Sequence, residues 1–159
     1  MSDRHFTFYN PGVLIDRNLE LILTETIPPE TNLVAPIPVY NFEMRQGDTV
    51  KKLGRISFRV ANTEDIILYA GHFGYDVAEK HRGHRYAARS CRLLFPLATK
   101  HDINPLWITC NPDNFASRRT CEIAGGKLIE IIDLPPDNDQ YLDGDRQKCR
   151  YRFDLCDIN

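Results

Sequence analysis

Long hydrophobic runs are missing from this 159-residue chain: none approaches the ~18 apolar residues needed to cross a bilayer, so no membrane partner is expected. The first residues, Met-Ser-Asp-Arg-His, are polar and carry no apolar signal core, which makes the cytoplasm the expected address. Charge of one sign is also lacking. A net charge of −2 gives no reason to expect nucleic acid or an acidic surface as partner. The five cysteines (Cys91, Cys110, Cys121, Cys149 and Cys156) are odd in number and scattered, with no Cys-x-x-Cys pair. That spacing argues against a metal site and reads as small core residues in a reducing compartment. Repeats and low-complexity tracts are absent from the sequence.

What is present is a globular composition, 42% apolar and 26% charged, long enough for one domain spanning 1–159 with a real core. An apolar run from Leu19 to Ile27 predicts a strand near 18–26, followed by a Pro-rich extended connection. Tyr40, Phe42 and Met44 then alternate with polar residues. After the Gln46-Gly47-Asp48 turn, Ile56, Phe58 and Val60 do the same, which predicts a β-hairpin. A further strand is expected over Leu68 to Val77, with Tyr69, Phe73, Tyr75 and Val77 on one face.

After 82 the period changes from two to between three and four, predicting an amphipathic helix over about 83–100 with Pro96 kinking or loosening it. A short buried strand, Leu106 to Cys110, leads into Asn111-Pro112-Asp113-Asn114, which is turn and helix-cap chemistry. A second helix over 114–124 should stop at Gly125-Gly126. Strands are expected at 127–134 and 148–155. The order β-β-β-β-α-β-α-β-β describes an α+β domain.

Residues 75–87 are the most informative stretch. An apolar strand ends at Val77, and Arg82-Gly83-His84-Arg85-Tyr86-Ala87 opens a helix through a small-residue turn. Unpaired backbone N–H groups and about half a positive charge from the helix dipole would meet there, as a phosphate or pyrophosphate requires. Read alone, the same residues could be a solvated basic helix start. The companion segment Asn114-Phe115-Ala116-Ser117, continuing to Glu122-Ile123-Ala124-Gly125-Gly126, weighs against that.

Together these segments resemble the GCN5-related N-acetyltransferase (GNAT) superfamily, over about 53–155 and poorly over the first 50 residues. The branch looks like the ribosomal-protein N-acetyltransferase-like group. The superfamily signature is Arg/Gln-x-x-Gly-x-Gly/Ala; Arg82, Gly83 and Ala87 fit it, and Arg85 stands where the fourth-place Gly is expected. The resemblance implies a mixed, mostly antiparallel twisted sheet flanked by helices, with acetyl-CoA in a cleft between splayed fourth and fifth strands. It implies that Val77 polarises the thioester through its amide, that Arg82, Gly83, His84, Arg85, Tyr86 and Ala87 hold the pyrophosphate, and that Asn114 contacts CoA. Arg85 can keep the loop amides available if its backbone is helical, and its cation can add a phosphate contact.

Two proton transfers remain to be assigned. Related enzymes place a base on the fourth strand at positions held here by Gly71 and Phe73, which cannot act. His72 is the neighbouring candidate, although strand alternation points it to the other face; Asp76, Glu43 and a water chain stay open. Cys121 stands where relatives often have a tyrosine acid, and Ser117 is the candidate donor to the thiolate. The expected function is acetyl transfer from acetyl-CoA to a primary amine of a small molecule or protein, with a catalytically silent acyl-CoA-binding module as the alternative. No metal is implied, and a homodimer is open. The acidic loop 134–147 either attracts a cationic amine or is simply a solvated turn.

Overall fold

The structure is a computed structural model and describes residues 5–158. Five strands form one antiparallel sheet in chain order: β1 (Leu14–Asp16), β2 (Leu19–Ile27), β3 (Val39–Gln46), β4 (Lys52–Arg59) and β5 (Phe73–Val77). A second antiparallel sheet holds β6 (Leu106–Cys110), β7 (Lys127–Asp133) and β8 (Gln147–Phe153) in the order β6-β8-β7. Three helices accompany them: α1 (Tyr86–Lys100), α2 (Phe115–Ala124) and the short α3 (Asp139–Leu142). The α+β expectation holds.

The period of two explains the first sheet. Tyr40, Phe42 and Met44 on β3 face the same way as Ile56 and Phe58 on β4, and all are fully buried. Helix α1 covers that face with Ala88, Cys91, Leu94, Phe95 and Ala98. Phe95 does more than fill space. Its ring stacks on Phe73 of β5 at 6.1 Å and meets Phe153 of β8 at 5.7 Å, so one side chain joins both sheets. The opposite face of the first sheet is polar, with Ser57 Oγ donating to Asn41 Oδ1 at 2.6 Å.

Three sequence expectations are corrected, and two short elements are added. The run from Leu68 to Val77 is not one strand: Ile66–Ala70 forms a wide helical turn and the chain re-extends only at Phe73. Helix α1 begins at Tyr86 rather than 83, because Gly83 (φ 96°) and Arg85 (φ 60°) both take left-handed backbone. Pro96 lies on the exposed side of α1, and the helix runs unbroken to Lys100. Strand β1 and helix α3 were not foreseen, since three and four residues are too few to show a period.

The break at Gly71 builds the site. A Cβ there would lie 3.1 Å from both the Thr109 amide nitrogen and the Trp107 carbonyl oxygen, so the two chains touch backbone to backbone. Gly71 also holds φ at 77°, which side chains on Cβ disfavour. The next residue, His72, donates its amide to Trp107 O at 2.7 Å. Beyond that contact β5 and β6 belong to different sheets and diverge. These are the fourth and fifth strands of the sequence reading, renumbered by the addition of β1.

Candidate active site

The divergence leaves a cleft of about 420 Å³ between the end of β5, the start of α1 and the face of α2. Val77, Arg82, Gly83, Arg85, Tyr86, Ala87, Asn114 and Ser117 all line it. His84 does not; its ring instead lies 5.3 Å from that of Tyr86.

Strand register decides which amides face the opening. In the β4–β5 ladder Arg59 N–H reaches His72 O and Ala78 N–H reaches Leu53 O, and the pairing runs Phe58↔Phe73 to Gly54↔Val77. Hydrogen-bonded and open pairs alternate in such a ladder, so the amides of Phe73, Tyr75 and Val77 point away from β4, toward the cleft. The amide of Val77, the residue that the resemblance singled out, thus faces the cleft.

At the other wall, the first hydrogen bond into α1 is Arg89 N–H to Arg85 O at 2.9 Å. The amides of Tyr86, Ala87 and Ala88 precede it and are left for an anion, with the helix dipole behind them. Arg85 achieves this with left-handed backbone (φ 60°, ψ 27°), not the helical geometry anticipated. A non-glycine residue pays roughly 1–2 kcal/mol for that conformation, which is why glycine is the easier occupant. Arg82 braces the loop, its Nε donating to Val77 O at 3.0 Å.

On α2, the Asn114 side chain accepts from Ser117 N–H at 3.1 Å and caps the helix while facing the cleft. Ser117 Oγ lies 2.8 Å from the Tyr75 hydroxyl, which also reaches Cys121 Sγ at 3.7 Å. Burial pushes the Tyr75 phenol well above its usual 10, so it stays protonated and able to donate. Sequence reading placed Tyr75 on a strand face and gave it no role; its shared face with Val77 was the available signal. Cys121, at the place of the family's tyrosine, is buried, and its thiol is pushed up by its hydrogen bond to Cys110 and by burial. Cys110 is drawn down to about 7 by the same Cys121 bond, with help from Ser117 and the Arg118 and Lys148 cations.

His72 is not brought to the cleft. It is fully buried, its Nδ1 accepts from Trp107 N–H at 2.9 Å, and its Nε2 lies 2.9 Å from Asn62 Oδ1. An accepting Nδ1 leaves the proton on Nε2, so both nitrogens are occupied. Burial holds the ring down to about 4, so it stays neutral near pH 7. It latches β5 to β6 at the pivot and cannot serve as the base. Glu43 lies on the polar sheet face, 3.3 Å from Arg45. Asp76 lines the cleft but is largely exposed, with Arg82 at 3.9 Å.

The acidic loop packs against the Ile66–Ala70 turn and the end of β6 rather than lining the cleft. Gln140 Nε2 donates to Tyr69 O at 3.1 Å, and Asp145 accepts from Asn111 at 2.9 Å with the buried Lys148 ammonium 3.4 Å away.

Residues 2–127 match the family model described as an acetyltransferase (GNAT) domain. The chain belongs to the GNAT family. It is accordingly an enzyme of acetyl transfer that uses acetyl-CoA. A search of curated protein sequences gives no significant match. Among solved structures, a GNAT-family acetyltransferase from Bacillus anthracis superposes with a TM-score of 0.64 at 15% identity, covering 91% of this chain and 99% of the other. RimL, a ribosomal L7/L12 α-N-protein acetyltransferase, solved with coenzyme A in disulfide linkage to one of its cysteines, gives 0.63 at 17%, covering 89% and 97%. The microcin C7 self-immunity acetyltransferase MccE, solved with acetyl-CoA and AMP, gives 0.56 at 14%, covering 73% and 61%. At these identities the likeness is one of fold. Among the described residues of this GNAT chain, no helix is long and apolar enough to cross a membrane.

Proposed function

We propose that this GNAT enzyme transfers the acetyl group of acetyl-CoA directly to a primary amine, on a small molecule or a protein terminus, with Ser117 as the proton donor to the departing thiolate. The Tyr75–Ser117 hydroxyl pair at 2.8 Å, set in the cleft between β5 and α2, is the observation that carries this reading.

The pyrophosphate rests on the amides of Tyr86, Ala87 and Ala88, with Arg82 and Arg85 alongside. The pantetheine arm follows the free edge of β5. The Val77 amide polarises the thioester carbonyl and stabilises the oxyanion that forms on attack. Collapse of the tetrahedral intermediate breaks the carbon–sulfur bond and leaves a thiolate. The Tyr75 phenol donates to Ser117 Oγ; as Ser117 gives its proton to the sulfur it takes the phenolic proton, and water at the mouth of the cleft returns a proton to Tyr75. Gly71 and Phe73 offer no base and His72 is spent, so the ammonium gives its proton to water at the mouth of the cleft. Asp137, Asp139 and Asp143 lie in the loop that packs on the Ile66–Ala70 turn, and their charge draws a cationic acceptor toward this side of the molecule.

Thiol release from acetyl-CoA, followed across a panel of small amines and peptides with free N-termini, tests the reading. At least one amine class should give turnover that Ser117→Ala lowers severalfold or more. Tight CoA binding with no transfer to any amine would favour a silent acyl-CoA-binding module and overturn the assignment.

A further inference from the structure

The second sheet ends on an open strand. In the order β6-β8-β7, β7 (Lys127–Asp133) pairs with β8 on one side, and no other strand among the described residues pairs along its outer edge. Alternate amides and carbonyls on such an edge point outward and can pair with another chain. Sheet proteins usually blunt an edge by shortening it, by placing proline in it or by charging it. The outermost strand of the first sheet, β1, is only three residues long. Strand β7 runs for seven residues without proline.

Its apolar side chains are also in the open. Leu128, Ile129 and Ile131 are 42%, 50% and 44% exposed, in a near-continuous apolar run of the kind that suits a strand with neighbours on both sides. The charges on β7 do little to guard the edge. Glu130 accepts from Arg150 Nη1 at 2.7 Å and Asp133 accepts from Gln147 Nε2 at 3.1 Å, so both carboxylates are engaged by β8.

The pattern of β7 fits a second copy of itself. Against β8, Leu128 stands opposite Tyr151 and Ile131 opposite Cys149, while Lys127, Glu130 and Ile132 stand opposite Arg152, Arg150 and Lys148. Successive residues of β8 point to opposite faces, so Leu128 and Ile131 share one face and Lys127, Glu130 and Ile132 the other. Residues directly opposite across a ladder must share a face. Two β7 strands paired antiparallel about a two-fold axis meet that condition with Leu128 of one copy opposite Ile131 of the other, an apolar pair that the symmetry makes twice. The same register sets Lys127 of each copy diagonally across from Glu130 of the other, within reach of a long side chain. A slip of one residue either way sets Leu128 against Glu130 or Ile132, which point to the wrong face. We propose that the free edge of β7 is a homodimer interface, where two copies pair antiparallel about Leu128 and Ile131 and join their three-stranded sheets into one.

Sedimentation of the full chain over a concentration series, with amide hydrogen exchange read at both ends of the series, tests it. A monomer–dimer equilibrium is expected, and the β7 amides should exchange more slowly as the dimer accumulates. Leu128→Lys and Ile131→Lys, at positions already open to solvent in the single chain, should each weaken the dimer roughly tenfold or more, with an unchanged circular dichroism spectrum. Val34→Lys, at an exposed apolar position outside β7, should leave the dimer as it is. A chain that stays monomeric throughout overturns the proposal. So does a dimer that Leu128→Lys and Ile131→Lys leave intact, or one whose added protection falls on β1 instead of β7.

Discussion

The Tyr75 hydroxyl of β5 lies 2.8 Å from the Ser117 hydroxyl of α2, across the opening between the two sheets. Cys121, one turn further along α2, stands 3.7 Å from the same phenol. The resemblance leads one to expect a tyrosine on the helix where Cys121 stands; here the hydroxyl at this spot comes from Tyr75 on the facing strand.

If Tyr75 acts by orienting Ser117, their substitutions will not add. Ser117→Ala should lower kcat by about 10²-fold and Tyr75→Phe by about tenfold, with the KM for acetyl-CoA little changed. The double variant should be no slower than Ser117→Ala alone. Additive losses in steady-state assays would separate the two roles.

His72 predicts a pH dependence of stability. Its folded-state value of about 4 lies below the ordinary 6.5, so the unfolded chain binds the proton more readily between those limits. The stabilisation is complete above about pH 6.5 and is lost as pH falls toward 4, by roughly 2–3 kcal/mol. Urea denaturation midpoints across pH 4.5–7.5 should show this slope, and His72→Asn should flatten it while lowering the midpoint throughout.

Gly71 is the contact point of the two sheets. Gly71→Ala adds a methyl 3.1 Å from two backbone atoms of β6 at a φ of 77°, and should cost about 2–3 kcal/mol. Thermal unfolding measures the loss. CoA affinity should fall with it, because the same contact sets the angle at which β5 and β6 part.

Arg85→Gly should move stability the other way. Relief of the left-handed strain outweighs the added freedom of the unfolded chain, for a net gain of about 0.5–1 kcal/mol and a higher Tm. A lower Tm would mean that the Arg85 side chain makes a contribution to folding that its backbone geometry conceals.

Alternation made β3 and β4 legible, and the shift to a helical period did the same for α1 and α2, because each buries one face against a continuous core. The run before Val77 misled for a physical reason. Ile66 to Tyr75 is apolar enough for a strand, and nothing local announces that Gly71 must pass against Trp107 and Thr109 of a strand more than thirty residues away. The start of α1 was misplaced because its end is set by two left-handed residues, one of them an arginine. Among site residues, the loop positions and Asn114 and Ser117 were readable as motif. Tyr75 was not, since its meaning depends on a partner 42 residues later.

By itself the sequence determined the family, the longer strands and helices and the small-residue turn before α1, all of which rest on local spacing and on side-chain period. Only the tertiary structure decided the rest. It spent His72 on a latch between the sheets, turned the Val77 amide to the open edge by ladder register, and set the Tyr75 phenol against Ser117. Those outcomes depend on where distant segments meet, and that is settled by packing two sheets against Phe95 rather than by any neighbour along the chain.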